Sequence, residues 1–292
     1  MAVTVALPVG ASAYHGGAVD ITHRLNRNWY LRANYTYSKT MDNSTNDLFT
    51  SLVNPRRPQD SYNLADEWAR SALDVRHKVA IMFLYDSPRV NFVRPFARKV
   101  LNGWTLSGSY LFQSGQPITI QSGVDSNGNG DADTDRAILN PQGTEGVGSL
   151  VNCVCRDATT GATSVNPACA PQNTVGYLAA NPRAKYIQAG PGAIANLGRN
   201  TFDSPAFNTW NLALTKEDTF GERVHLRLRI EAYNAFNHPN FTIGNLSVFP
   251  STSNATKQGY ASLTGVPAGT FLNSKIFNGG GRQLQLSIRL SY

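Results

Sequence analysis

The residues best suited to hold a metal ion sit together in one stretch, GVDSNGNGDADTDRA, Gly123 to Ala137. Asp125, Asn127, Asn129, Asp131 and Asp133 place a side-chain oxygen at every second position, with glycines between them. An EF-hand-type loop takes oxygens at positions 1, 3, 5, 7 and 9, a glycine at 6 and a bidentate glutamate at 12. Counted from Asp125, the five oxygens and Gly130 fit, but position 12 is Arg136 and no helical pattern flanks the loop. Extracellular loops of this make hold calcium at millimolar strength. The same Asp, Asn and Gly content also describes a solvated turn with no metal. The spacing leaves both readings open.

The other reactive side chains are few. Cys153, Cys155 and Cys169 share one stretch, with no nearby histidine and no usual zinc spacing. A disulfide to Cys169 from Cys155 or Cys153 is expected. It would stabilise the loop by roughly 3 kcal/mol and imply an oxidising compartment. Asp74, His77 and His238 have no nucleophile elbow to work with, and no phosphate-binding glycine loop occurs. No enzyme activity and no organic cofactor is expected. The charge balance is +7, but lysine and arginine are scattered singly, which argues against nucleic acid.

Alternation with period two dominates the chain and must position whatever site exists. In GGRQLQLSIRLSY, Leu284, Leu286, Ile288, Leu290 and Tyr292 share one face, and Gln283, Gln285, Ser287, Arg289 and Ser291 the other. In ERVHLRLRIEAYNAF, Val224 to Ala232 alternate with Arg223, His225, Arg227, Arg229 and Glu231. FNTWNLALTKED, NGWTLSGSYLFQ, DVRHKVAIMFLYD, NWYLRANYTYSKT and GAVDITHRL behave alike. About seven strands are predicted, with a short helix near NLADEWARSAL.

The links between these strands alternate in length. NRN, DSPRVNFVRPFARKVLN and DTFGER are short or moderate; the links near 41–73, 121–205 and 239–280 are long. A soluble sandwich has no reason to alternate so. A transmembrane barrel does, with short periplasmic turns and long external loops. The fold expected is an all-β, antiparallel up-and-down transmembrane β-barrel segment, apolar faces against outer-membrane lipid. Arg32, Arg76, Lys78, Arg227, Arg229 and Arg289 would face the lumen, with Glu231 beside Arg229. Trp29, Trp104, Trp210 and Tyr292 lie near strand ends, where aromatic girdles form.

Several stretches also resemble the barrel of TonB-dependent outer-membrane receptors, specifically the Oar-like group. They are YTYSKTMD, SALDVRHKVAIMFLYDSP with its D-x-R-H, GWTLSGSYLFQSGQPITI with its Ser-Gly-Gln-Pro, and RIEAYNAFNHPNF with its N-x-F-N-H. Their shared order covers most of residues 14–292. The resemblance implies a Gram-negative outer-membrane transporter, a plugged barrel driven through TonB for scarce nutrients. It makes Tyr292 the signal for the barrel-assembly machinery. It also makes the loop at Asp125 an ordinary polar loop whose Asp135 and Arg136 organise the return. The basic wall would then meet acidic plug groups or an anionic substrate. No signal peptide, TonB box or plug is recognised, so residues 1–292 are expected to be the C-terminal portion of the barrel. The plug and N-terminal strands would be partners, and transport by this portion alone is not expected. Two rivals are a secreted or surface β-sandwich adhesin or binding module with a calcium loop, and a small porin assembled from several copies.

Overall fold

The computed structural model describes residues 8–24, 28–44, 58–91, 94–130, 135–193, 195–221, 223–240 and 280–292. Long strands are β1 (Ser12–Arg24), β2 (Trp29–Asp42), β4 (His77–Asp86), β5 (Trp104–Gln113), β14 (Phe207–Phe220), β15 (Val224–Tyr233) and β16 (Gln283–Ser291). They hydrogen-bond in the order β1-β2-β4-β5-β14-β15-β16, and the two-residue β3 (Ala69–Arg70) adds to β2. Every neighbour is antiparallel. This is the up-and-down sheet that the alternation predicts: each long strand lies beside the previous long strand.

Register carries the two faces across the sheet without a slip. Arg32 stands opposite Met82, Met82 opposite Ser109, and Ser109 opposite Asn211. On the reverse face Ala33, Ile81, Tyr110 and Trp210 stand in one row. A one-residue shift anywhere would mix the faces, so the pattern itself holds the register. A depression of about 430 Å³ lies on the polar face, lined among others by Tyr30, Met82, Ser109, Asn211, Arg229 and Glu231. Its lining runs from β2 to β15, so the sheet curls around the polar face. The apolar face is convex and uncovered: Leu284, Leu286, Ile288 and Leu290 are each more than 60% exposed. A sandwich would bury that face, and no second sheet packs on it among the described residues.

Aromatic side chains mark both ends of this face. Trp29 and Tyr85 meet at 4.5 Å near the short turns. Tyr35 and Tyr37 stack around His77 near the long links, with the Tyr35 hydroxyl 2.9 Å from His77 Nδ1. Trp29 and Tyr37 are eight residues apart on β2. That is about 26 Å along the strand, or about 20 Å across a membrane at a tilt of about 40°, near the apolar band of such barrels.

The compact core lies elsewhere. Ile118, Ile120, Ala137, Ala184, Tyr186, Ala189 and Leu197 are buried, and all belong to the long link between β5 and β14. That link folds into β6 (Pro117–Ile118), β7 (Ile138–Leu139), β8 (Thr144–Ser149), β9 (Val151–Arg156), β10 (Thr163–Asn166), β11 (Thr174–Ala179), β12 (Ala184–Ile187) and β13 (Phe202–Asp203). Sequence reading treats it as one loop because these strands are too short to show alternation. Two further differences are local. The helix expected near NLADEWARSAL is one 3-10 turn, Leu64–Glu67, ended by the extended Trp68. A helix not expected, α1 (Pro95–Leu101), occupies the link between β4 and β5, with proline in its first turn.

Candidate functional site

The conspicuous motifs converge on the rim where the long strands meet the long links. Asp74 of D-x-R-H has no exposed surface. Its carboxylate accepts the Thr40 N–H at 2.7 Å, Arg70 Nε–H at 3.1 Å and Arg76 Nη2–H at 3.2 Å. One residue thereby ties the end of β2 to the start of β4. Ser38 donates to the Val75 carbonyl at 2.9 Å. Ser114, of Ser-Gly-Gln-Pro, accepts the His77 N–H at 3.1 Å. Gln116 N–H donates to Ser204 Oγ at 2.7 Å, joining β6 to β13.

Beneath the loops is a buried ionic cluster that sequence reading missed. Arg199 bonds the Asp42 carboxylate and the Glu67 carbonyl, the latter at 2.9 Å. Arg136 Nη2 lies 2.5 Å from Glu67 Oε2, an ion pair without hydrogen-bond alignment, and all four residues are at least 95% buried. Burial lowers the proton affinity of Arg136, the charge of Arg199 adds to this, and Glu67 opposes it. Such a cluster contributes little net stability but holds its parts in one arrangement. Here it locks the links after β2 and β5 onto the end of β2. No periodic pattern could reveal it, because Asp42, Glu67, Arg136 and Arg199 are scattered along the chain.

The N-x-F-N-H signature proves structural. Asn234 and Asn237 have φ of 48° and 53°, a region asparagine tolerates better than most residues. Asn234 Nδ2 donates to the carbonyls of His238 at 3.0 Å and Gly280 at 3.2 Å, while its Oδ1 accepts the His238 N–H at 2.9 Å. Asn237 accepts the Arg282 N–H at 2.9 Å. The turn thus joins the end of β15 to the approach of β16.

The polar wall gathers Arg32, Lys78, Arg227, Arg229 and Arg289 on the concave face. Three are partly neutralised: Arg32 by Asp20 at 3.2 Å, Arg227 by Glu217 at 2.6 Å and Arg229 by Glu231 at 2.8 Å. Lys78 and Arg289 have no ion pair among the described residues. Arg76 stands apart from this group, just before β4, drawn to Asp74 and 5.9 Å from the Tyr37 ring centre. Tyr292 is fully exposed after β16.

In the oxygen-rich loop, the Asp125 carboxylate accepts N–H groups of Gly128 at 2.8 Å, Asn129 at 3.0 Å and Gly130 at 2.8 Å. Asn127 Oδ1 accepts the Asn129 N–H at 3.0 Å. Asp131 and Asp133 lie outside the described residues. Asp135 Oδ2 accepts from Ser126 Oγ at 2.9 Å and Asn127 N at 3.1 Å, while its Oδ1 has no hydrogen-bond partner among the described residues. Cys155 and Cys169 form a disulfide across the β9–β11 hairpins, and Cys153 is a free thiol.

Compared with known families, residues 1–285 match the family described as outer membrane beta barrel domain. The chain belongs to that family. No curated protein matches it. Membership accounts for the convex apolar face and the two aromatic belts, and it assigns the protein to the outer membrane. The curled seven-strand wall is then part of a barrel in lipid, open in the described residues at the outer edges of β1 and β16.

Proposed function

We propose that this chain is the C-terminal portion of the barrel of a TonB-dependent outer-membrane receptor that takes up a scarce nutrient. The observation that carries this reading is the wall itself. β1 and β16 each have one strand partner among the described residues, so each presents an edge. An edge in lipid leaves N–H and C=O groups unpaired, each costing several kcal/mol. Further strands must cover these edges, and the resemblance to Oar-like receptors in strand order and rim motifs says which kind of barrel supplies them. The plug of that receptor would lie against the concave wall, and TonB would act through the plug. The chemistry of the wall is passage and binding rather than bond-making. Tyr292 would be read by the barrel-assembly machinery.

The test is the size and location of the polypeptide that ends in GGRQLQLSIRLSY. An antibody to that end is applied to separated outer-membrane and soluble fractions. The expected result is an outer-membrane band roughly three times the length of this chain, as a barrel of about twenty-two strands with a plug requires. A band of the present length would refute the receptor assignment.

A further inference from the structure

β4 departs from the alternation of its neighbours. Val79 to Tyr85 is an unbroken apolar run. Val79, Ile81, Phe83 and Tyr85 stand on the convex face, and the interleaved Ala80, Met82 and Leu84 on the concave one. A strand that is apolar on both sides is a strand covered on both sides. Lipid covers the convex side. The concave side is bare among the described residues: Met82 is 55% exposed and Leu84 36%. The other long strands place at most one aliphatic side chain larger than alanine on that face, Leu111 of β5.

Register explains the hollow beside these side chains. Tyr30, Leu84, Ser107, Ala213 and Glu231 form one row, and Arg32, Met82, Ser109 and Asn211 the next. Ser107, Ser109, Asn211 and Ala213 are short, so β5 and β14 make a floor between a flank of Tyr30, Met82 and Leu84 and a flank on β15. The lining of this 430 Å³ hollow holds one cation and one anion, Arg229 and Glu231, paired at 2.8 Å. The hollow therefore asks for no counter-charge. Its floor offers the hydroxyls of Ser107 and Ser109. Asn211 Oδ1 accepts the Asn234 N–H at 3.1 Å, which leaves the Asn211 NH₂ to donate.

We propose that this hollow is the socket for an apolar side chain of a protein segment folded inside the barrel, outside residues 1–292. That segment is the plug of the reading above, on which this inference rests. Three features select the occupant. The wall itself separates the concave face from lipid and from other copies, so only what lies inside the barrel reaches it. The apolar flank suits an aliphatic or aromatic side chain, and the hydroxyls and amide of the floor suit the N–H and C=O groups of a backbone. A strand built for burial on both sides requires standing cover, which a docked segment gives and a nutrient in transit does not. The contact is made by burial and not by the charge of the basic wall.

The experiment uses the complete polypeptide that ends in GGRQLQLSIRLSY, in the outer membranes of cells that make it. Position 82 carries either a benzophenone amino acid, for photocrosslinking, or Met82→Cys, for labelling with a water-soluble maleimide read by mass on the peptide of residues 79–89. On illumination, position 82 should join a peptide of the same polypeptide from outside residues 1–292, with or without nutrient in the medium. Met82→Cys should label at least roughly tenfold more slowly in the membrane than after unfolding in denaturant. Labelling as fast in the membrane as in denaturant, with no crosslink, would overturn the socket, while a band of receptor length would keep the receptor reading. A crosslink to an imported molecule would make the hollow a cargo site, and a crosslink confined to residues 1–292 would mean that this chain's own links cover it; either overturns the socket. A polypeptide of the present length would refute the receptor and the socket together.

Discussion

Asp74→Asn tests whether the rim is held by one buried carboxylate. The substitution keeps size and leaves one amide oxygen to accept the Thr40 N–H. It removes the charge facing Arg70 and Arg76 and, because both bond the same oxygen, turns an NH₂ toward both of them. Breaking a fully buried pair costs about 3–5 kcal/mol. Both arginine side chains here are 27% exposed, and Arg70 keeps Asp203 at 2.9 Å, so part of the loss is recovered. The expected cost is about 3 kcal/mol, a rise of roughly a hundredfold in the opening equilibrium of the rim. The assay is limited proteolysis of intact outer membranes, following cleavage within the link of residues 114–206. Cleavage is kept slow enough to report the open fraction. Asp203→Asn is the control. Its carboxylate is 53% exposed, and losing it should cost less than about 1 kcal/mol, or under about fivefold. Equal cleavage in the two variants, or no change in Asp74→Asn, would refute the assignment of Asp74 as the rim's tie.

Three further outcomes are expected. Asn234→Ala loses three hydrogen bonds and puts alanine, which tolerates the left-handed region less well than asparagine, at a positive φ; it should destabilise the β15–β16 region by about 3 kcal/mol, read as faster amide exchange in those strands alone. Burial acts to raise the Glu145 pKa, but Lys185 and Tyr186, whose hydroxyl is 2.5 Å away, outweigh it and hold it below its ordinary value. The contribution of Glu145 to the β8–β12 pairing is therefore present above the ordinary glutamate pKa and lost as pH falls through the depressed one. Hydrogen exchange at β12 should rise over that acidic window in the native protein, and Glu145→Gln should flatten the profile. Calorimetric titration of the loop at Asp125 with calcium should show millimolar binding at best, because its carboxylate already serves three N–H groups. A micromolar constant would mean that the loop rearranges to take the ion.

The seven long strands, their order and their two faces are written in the sequence. Period-two alternation is a local property: Leu284 to Tyr292 and Val224 to Ala232 declare their faces without reference to any partner. The alternation of link lengths then limits which strands can be neighbours, and the sheet order follows it. The motifs were legible as signatures but not as chemistry. That Asp74 serves Thr40, Arg70 and Arg76, or that Asn234 joins β15 to the approach of β16, depends on chain segments brought together by the sheet. The same holds for the ionic cluster of Asp42, Glu67, Arg136 and Arg199, whose members are spread over more than 150 residues and meet only when two links fold over the end of β2. It holds for α1 as well, since seven residues are too few for helical periodicity to stand out. Its placement on the lipid side is decided by Trp104 and Phe220 on two different strands. Local periodicity determines which face of each strand meets lipid; only the assembled sheet determines which distant charges and side chains share a rim.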